Sequence, residues 1–258
     1  MESLTTNVQK LIRTGITMFP SMADRKADLQ RAFRRALRRP FEEDFRALSE
    51  LLHEGDHCID VGANRGQSID ALKMSVPSLR ITALEPQPDL YDRLVCRYAD
   101  DPLVRVLPVA ASSAAANFDL FVPSYNGYRF DGLASLYERE AREWLESRIF
   151  RFNPRKLIIQ PMPCKTVRLD DLELERPIAF IKMDIQGAEL SALQGSQAIL
   201  RHDHPCLLIE SPSAEIDSFL SNLGYEPRAY VNGRLEPGRH GGLNTFFISD
   251  QAEAKSKR

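Results

Sequence analysis

Short apolar runs alternate with amphipathic stretches from residue 56 onward. His57–Val61 predicts a first strand, with a helix following from Arg65 to Met74. Leu79–Glu85 predicts a second strand, a helix runs from Pro88 to Tyr98, and Val104–Ala110 predicts a third strand. The rhythm breaks over residues 112–165, where Phe118–Val122 alternates as a strand, Asn126-Gly127 marks a turn and Tyr137–Phe150 reads as a helix. It resumes with strand Ile178–Ile185, helix Ala188–Leu193, strand Cys206–Glu210 and helix Ile216–Leu223. Tyr225–Tyr230 and Leu243–Ile248 close the chain around Asn232-Gly233, a hairpin signal, so an antiparallel last strand is expected. Strand–helix alternation of this kind implies an α/β fold, with parallel strands joined by right-handed crossovers and helices on both faces.

The N-terminal part differs. Residues 1–22 carry weak signals, and 23–53 read as helical. Leu29, Ala32, Phe33, Ala36 and Leu37 share one helical face, and Arg31, Arg34, Arg35, Arg38 and Arg39 lie on the other. Pro40 stops this helix, and Phe41–Leu52 starts another. The expected role is a helical lead that covers the sheet. The alternative is a basic amphipathic helix on a membrane or an acidic partner. Asp28, Glu42, Glu43 and Asp44 dilute the charge and favour the first.

Composition narrows the picture only a little. A net charge of -2 offers no general attraction for nucleic acid, and none is expected as a partner. No apolar run reaches the length of a membrane span, and the N-terminus lacks the pattern of a signal peptide, so the cytosol is the expected compartment. Cys58, Cys96, Cys164 and Cys206 form no CxxC pair and read as reduced thiols.

The chemistry gathers at strand ends. Cys58-Ile59-Asp60-Val61-Gly62-Ala63-Asn64-Arg65-Gly66-Gln67-Ser68 reads as a buried strand ending in an acid, a tight turn and the start of a helix. Gly62 and Gly66 are expected to turn the backbone and admit a ligand, and Asn64 tolerates a left-handed conformation. The spacing departs from the dinucleotide GxGxxG, which argues against NAD and FAD. Glu85 ends the second strand before Pro86, where a carboxylate accepts from ribose hydroxyls. Asp184 ends the strand Phe180-Ile181-Lys182-Met183-Asp184, ahead of Gly187 and Glu189. Lys182, inside that strand, is expected to pair with Glu210 or Asp60 or to reach solvent. His202 and His204 precede a strand and read as structural. Tyr125, Tyr128, Arg129, Tyr137 and Trp144 supply aromatic and cationic groups for stacking on an acceptor, or a small satellite core.

These residues resemble the FkbM-type S-adenosylmethionine-dependent methyltransferases. The carrying stretches are Asp60 to Gly66, Glu85-Pro86, Thr166 to Asp171, Phe180 to Glu189, Gly195, and Pro205 to Glu210, with Asp131 to Leu136 similar to the family's small-residue loop. Gln186 departs from the pattern, which has Glu there. The resemblance implies a Rossmann-like class I methyltransferase sheet with a reversed last strand, and O-methylation of a hydroxyl on a sugar or secondary metabolite. It implies S-adenosylmethionine bound by Asp60, Gly62, Ala63, Asn64, Gly66, Gln67, Ser68, Glu85, Pro86, Ala110 and Asp184. It offers no settled base. His240, a loop imidazole, is the first candidate from the sequence, and Asp184 is the second. No metal site is specified.

The expected organisation is a helical extension (1–53), a methyltransferase domain (54–250) with an insertion at 112–165, and a polar tail (251–258). A homodimer stays open, as do two other functions: a silent adenosine-cofactor-binding or interaction protein, and an NAD-dependent oxidoreductase.

Overall fold

A computed structural model describes residues 10, 14, 15, 17, 29–35, 37 and 39–256. The expectations for 1–9, for 18–28 including Asp28, and for Ala36 and Arg38 lie outside the described residues. The chain divides into two compact units: Met1–Ala36 with Phe118–Pro163, and Leu37–Asn117 with Cys164–Arg258.

In the larger unit, strands β1 (His57–Val61), β2 (Arg80–Leu84) and β3 (Val104–Leu107) follow the expected order, with helices α1 (Gln67–Ser75) and α2 (Pro88–Arg97) between them. Pro108 ends β3 early, since proline has no N–H for the ladder, and Ala110–Ala111 forms a separate short strand, β4. Strand β5 (Ala116–Tyr125) leads into the smaller unit, which holds β6 (Tyr128–Arg129) and helix α3 (Glu138–Arg148). Strand β7 (Leu157–Val167) leads out and pairs with β4, Ala110 opposite Thr166. The chain continues through β8 (Ile178–Met183), α4 (Glu189–Gln194), α5 (Gln197–His202), β9 (Cys206–Glu210) and α6 (Ala214–Ser221). It closes with β10 (Tyr225–Val231), β11 (Arg234–Pro237), β12 (Asn244–Ser249) and helix α7 (Asp250–Ser256).

The main sheet has the order β11-β10-β12-β9-β8-β1-β2-β3. Pairs from β9 through β3 are parallel. The last strand, β12, runs antiparallel between β9 and β10, as the sequence pattern implies. Asn232 (φ 51) and Gly233 (φ 81) both turn left-handed, which closes the tight hairpin β10–β11 with Val231 opposite Arg234. The sequence reading omitted β6, β7, β11 and α5, and it read 251–258 as a polar tail where α7 forms.

Strand alternation splits the core in two. Cys58, Phe180, Cys206, Leu208, Phe246 and Ile248 face one way, beneath α1 and residues 45–52. Ile59, Val61, Ile181, Met183, Leu207, Ile209 and Phe247 face the other, beneath α4, α5 and α6. The lead covers the sheet through a 3-10 turn (Glu43–Ala47) and one helical turn (Leu48–Leu51), which bury Phe45, Ala47 and Leu48. In the preceding helix, Leu29 and Phe33 are 71% and 67% exposed. Burial pushes the Cys58 and Cys206 thiols up, as fits core thiols.

The smaller unit has its own core of Tyr125, Leu145 and Ile149, with Phe130, Leu133, Phe152 and Leu157 against it. Tyr125 stacks on Phe152 with ring centres 5.4 Å apart, and its hydroxyl accepts the Asn153 N–H, so it is a core residue here. Trp144 lies under the Arg148 guanidinium, 3.0 Å from the ring centre. Tyr137 is exposed.

Candidate active site

Strand order reverses between β1, which leads to β2 and β3, and β8, which leads to β9. Ligands of open α/β sheets bind outside the C-terminal ends of the strands at such a point. Asp60 stands one residue before the end of β1 there, and register sets its company. Asp60 lies opposite Lys182, and Lys182 lies opposite Leu208. Asn244 lies opposite Glu210. Asp60, Lys182, Asp184, Glu210 and Asn244 thus form a polar row across β1, β8, β9 and β12 on one face. The lead meets this row: the Asn244 side-chain amide donates to Glu42 Oε2 at 2.8 Å and to Asp44 Oδ2 at 3.0 Å.

Lys182 is buried, and its Nζ donates to Asp184 Oδ2 at 3.0 Å. Its hydrogen-bond partner is therefore Asp184, not the Glu210 or Asp60 expected from the sequence. Burial works against the lysine's charge, but Asp184, Asp60 and Glu42 outweigh it and hold its pKa above the ordinary value. Asp184 is held below the usual carboxylate range: burial acts against this, while Lys182, Glu210 and the Gln186 amide at 3.1 Å overcome it. A glutamate at 186 has no N–H to donate there, so Gln186 does work that the family's usual residue cannot do in its ionised form.

Asp60 is wholly buried and neither carboxylate oxygen has a hydrogen-bond partner. Burial pushes it up to about 6, against the pull of Lys182. Unpartnered buried carboxylate oxygens call for a donor or cation, and they fit a zwitterionic sulfonium cofactor carrying an ammonium group. Glu85 is also buried. Its Oε2 accepts the Asn64 N–H at 2.7 Å and its Oε1 the Gln87 N–H at 2.9 Å, so it ties the turn after β1 to the exit of β2.

A Cβ on Gly62 (φ 84) meets the Asp184 carbonyl oxygen at 2.2 Å, so this glycine admits the backbone that follows β8. Asn64 takes φ 48, as expected of it. Ala63 and Ser68 are buried, Gln67 and Pro86 are partly exposed, and Gly66 caps α1 in a left-handed conformation. Ala110 lies in β4, half-buried. Glu189 accepts from the Ile185 and Gly187 N–H groups at 3.0 and 2.9 Å, which makes it the brace of the Asp184 loop. Asp203 accepts the N–H of Ile178 at the start of β8, so the His202–His204 stretch sits at the opposite edge of the sheet.

The two base candidates are not brought together. His240 is exposed; its Nε2 lies 3.2 Å from Asp217 Oδ2 on α6, and its ring meets Phe247 edge-on. Both partners belong to the sheet face opposite the Asp60–Asn244 row. Sequence reasoning missed Glu42, Asp44 and Asn244, which carry no motif and matter only once the lead folds over the sheet. Glu210 was legible by the rule that found Asp60 and Asp184, an acid closing an apolar strand. Among the described residues, no group of three His, Cys, Asp or Glu side chains is placed to hold a metal ion, and no helix is long and apolar enough to cross a membrane.

A family model, the methyltransferase FkbM domain, matches residues 60–227, well over half of the chain. No curated protein matches. Among solved structures, the methyltransferase FkbM from Methylobacillus flagellatus KT is 19% identical, with a TM-score of 0.48. The match covers 79% of this chain and 48% of that one, so the chain spans about half the length of that structure. A TehB-like SAM-dependent methyltransferase from Corynebacterium glutamicum is 12% identical over 90% of this chain and 100% of its own, with a TM-score of 0.43. Fibrillarin from Aeropyrum pernix, with natively bound S-adenosyl-L-methionine, is 14% identical over 79% and 72%, with a TM-score of 0.42.

Proposed function

The chain belongs to the FkbM methyltransferase family, whose methyl donor is S-adenosylmethionine, and from that premise we propose that it methylates a hydroxyl of a sugar or secondary metabolite. The donor's sulfonium activates the methyl group, so the protein's main task is to hold the acceptor oxygen in line with it. Asp60 would take the donor's cationic end, Glu85 its ribose, and the 62–68 turn its remaining polar groups, with Pro86 and Ala110 alongside.

The observation that carries the reading is the polar row at the strand reversal, where buried, unpartnered Asp60 stands beside the Lys182–Asp184 pair. Carboxylates and a side-chain amide there suit the binding of hydroxyl groups, which donate to them. The same acids disfavour a phosphate backbone: Glu42, Asp60, Asp184 and Glu210 act on one lysine, Lys182, and an anionic polymer needs the opposite balance. A small neutral acceptor follows. Asp184, with both oxygens engaged and its charge stabilised, suits orienting an acceptor better than taking its proton. His240, oriented by Asp217, enters as a base only if an acceptor reaches the α6 face.

The test is incubation with S-adenosylmethionine and a panel of methyl glycosides, phenols and short RNA oligomers, with mass spectrometry of the products. Methylation of a sugar or phenol hydroxyl supports the reading. Methylation of RNA alone overturns it.

A further inference from the structure

We infer that Glu210 is the group that accepts the proton of the acceptor hydroxyl during methyl transfer. The inference rests on the O-methyl reading. It begins with which acids at the site are free to act. Glu85 and Glu189 each spend both oxygens on backbone N–H groups. Asp184 has Lys182 on one oxygen and Gln186 on the other. Glu42 and Asp44 hold the Asn244 amide. Asp60 stands beside Lys182 and is assigned to the donor's cationic end in the proposed function. Glu210 ends β9 partly exposed, and its side-chain hydrogen bond goes to Asp184.

Position supports the role. Lys182 lies opposite Leu208 in the parallel ladder, so Glu210 sits beside Asp184 at the strand ends, on the face that carries Asp60. The unpartnered oxygens of Asp60 in the same row mark the crevice as a place where a ligand's donors are wanted. Ser211, directly after Glu210, is held at φ 46, so the chain leaves the strand in a sparsely populated conformation at this residue.

The surroundings make the Glu210 carboxylate basic. Asp184 after β8 and Glu42 from the lead act on it as like charges, Lys182 on β8 is the opposing cation, and Asn244 on β12 lies opposite it in the ladder with its amide on Glu42 and Asp44. Burial and the Asp184 hydrogen bond raise its pKa to about 8. A base poised near the working pH combines availability with driving force. In the step, a lone pair of the acceptor oxygen forms the bond to the methyl carbon, the carbon–sulfur bond breaks with its electron pair going to sulfur, and the hydroxyl proton passes to Glu210. The products are a methyl ether, a thioether and a neutral carboxylic acid.

Two measurements test this. The first needs no acceptor: a carbon-13 NMR titration of the Glu210 side-chain carboxyl in the cofactor-free protein, assigned with Glu210→Gln. A midpoint near 8 is expected, and one in the ordinary range of about 4 overturns the inference. The second compares wild type, Glu210→Gln and Glu210→Asp on the panel above, with calorimetry of S-adenosylmethionine binding for each. Wild-type turnover is expected to rise with pH to a plateau above about 8, and Glu210→Gln to lower it roughly 100-fold or more and abolish that rise while binding cofactor normally. Glu210→Asp keeps the pH limb at a reduced rate. A Glu210→Gln enzyme with the wild-type rate and pH limb sinks the inference and leaves the O-methyl reading intact. A wild type that binds the cofactor and methylates no hydroxyl in the panel sinks that reading, and this inference with it.

Discussion

Asn64 gives its backbone N–H to Glu85 Oε2 at 2.7 Å, so the acid that ends β2 closes the turn that follows β1. The left-handed Asn64 (φ 48) sits where that bond holds it. One carboxylate thus serves the fold and, in the proposed function, the cofactor.

Glu85→Ala removes the acceptor of both the Asn64 and Gln87 N–H groups. Losing hydrogen bonds to a charged acceptor costs about 1.5–3 kcal/mol each, so a drop of a few kcal/mol in unfolding free energy is expected, with at least a tenfold weaker S-adenosylmethionine affinity. Urea denaturation and calorimetry measure the two effects separately. Wild-type affinity in a destabilised Glu85→Ala protein would leave Glu85 a purely structural brace.

Gly62→Ala places a Cβ 2.2 Å from the Asp184 carbonyl oxygen at a residue with φ 84. Both the clash and the backbone conformation penalise a side chain, and a loss on the order of 3 kcal/mol or more is expected. Gly233→Ala (φ 81, with open space around it) carries only the backbone penalty and is the control. Equal losses at the two sites would contradict the close approach of β8.

Asp60 gives a pH signature. Its pKa rises from 3.8 to about 6 on folding, so the native state holds this proton more tightly than the unfolded chain. Its contribution to stability is fully present below pH 4 or so and is lost as pH rises through about 6. Asp60→Asn removes that loss. The variant is expected to melt at or above the wild-type temperature at pH 7, with a gain of up to roughly 2–3 kcal/mol, while binding S-adenosylmethionine poorly. Melting curves between pH 4 and 8 for both proteins check it. A constant gap between them across that range would show that Asp60 does not titrate there.

Much of this was legible in the sequence because strand chemistry is local. His57–Val61 and Cys206–Glu210 read directly as strands from their apolar runs, and acids at strand ends marked the crevice. The Asn232-Gly233 signal gave the hairpin, but Arg234–Pro237 is too polar and short to read as a strand. Leu157–Val167 was missed because two prolines interrupt its alternation. The site was less legible than the sheet. That Lys182 pairs with Asp184, and that Asn244 gathers Glu42 and Asp44 from 200 and more residues away, are consequences of packing that no local pattern encodes.

Titration calorimetry with S-adenosylhomocysteine and S-adenosylmethionine, with NAD as the control, tests most directly whether the crevice at Asp60, Glu85 and Asp184 is the cofactor site. One-to-one binding of both sulfur ligands, weakened by Asp60→Asn and by Glu85→Ala and absent for NAD, is the expected result. A folded wild-type protein that binds neither sulfur ligand would contradict it.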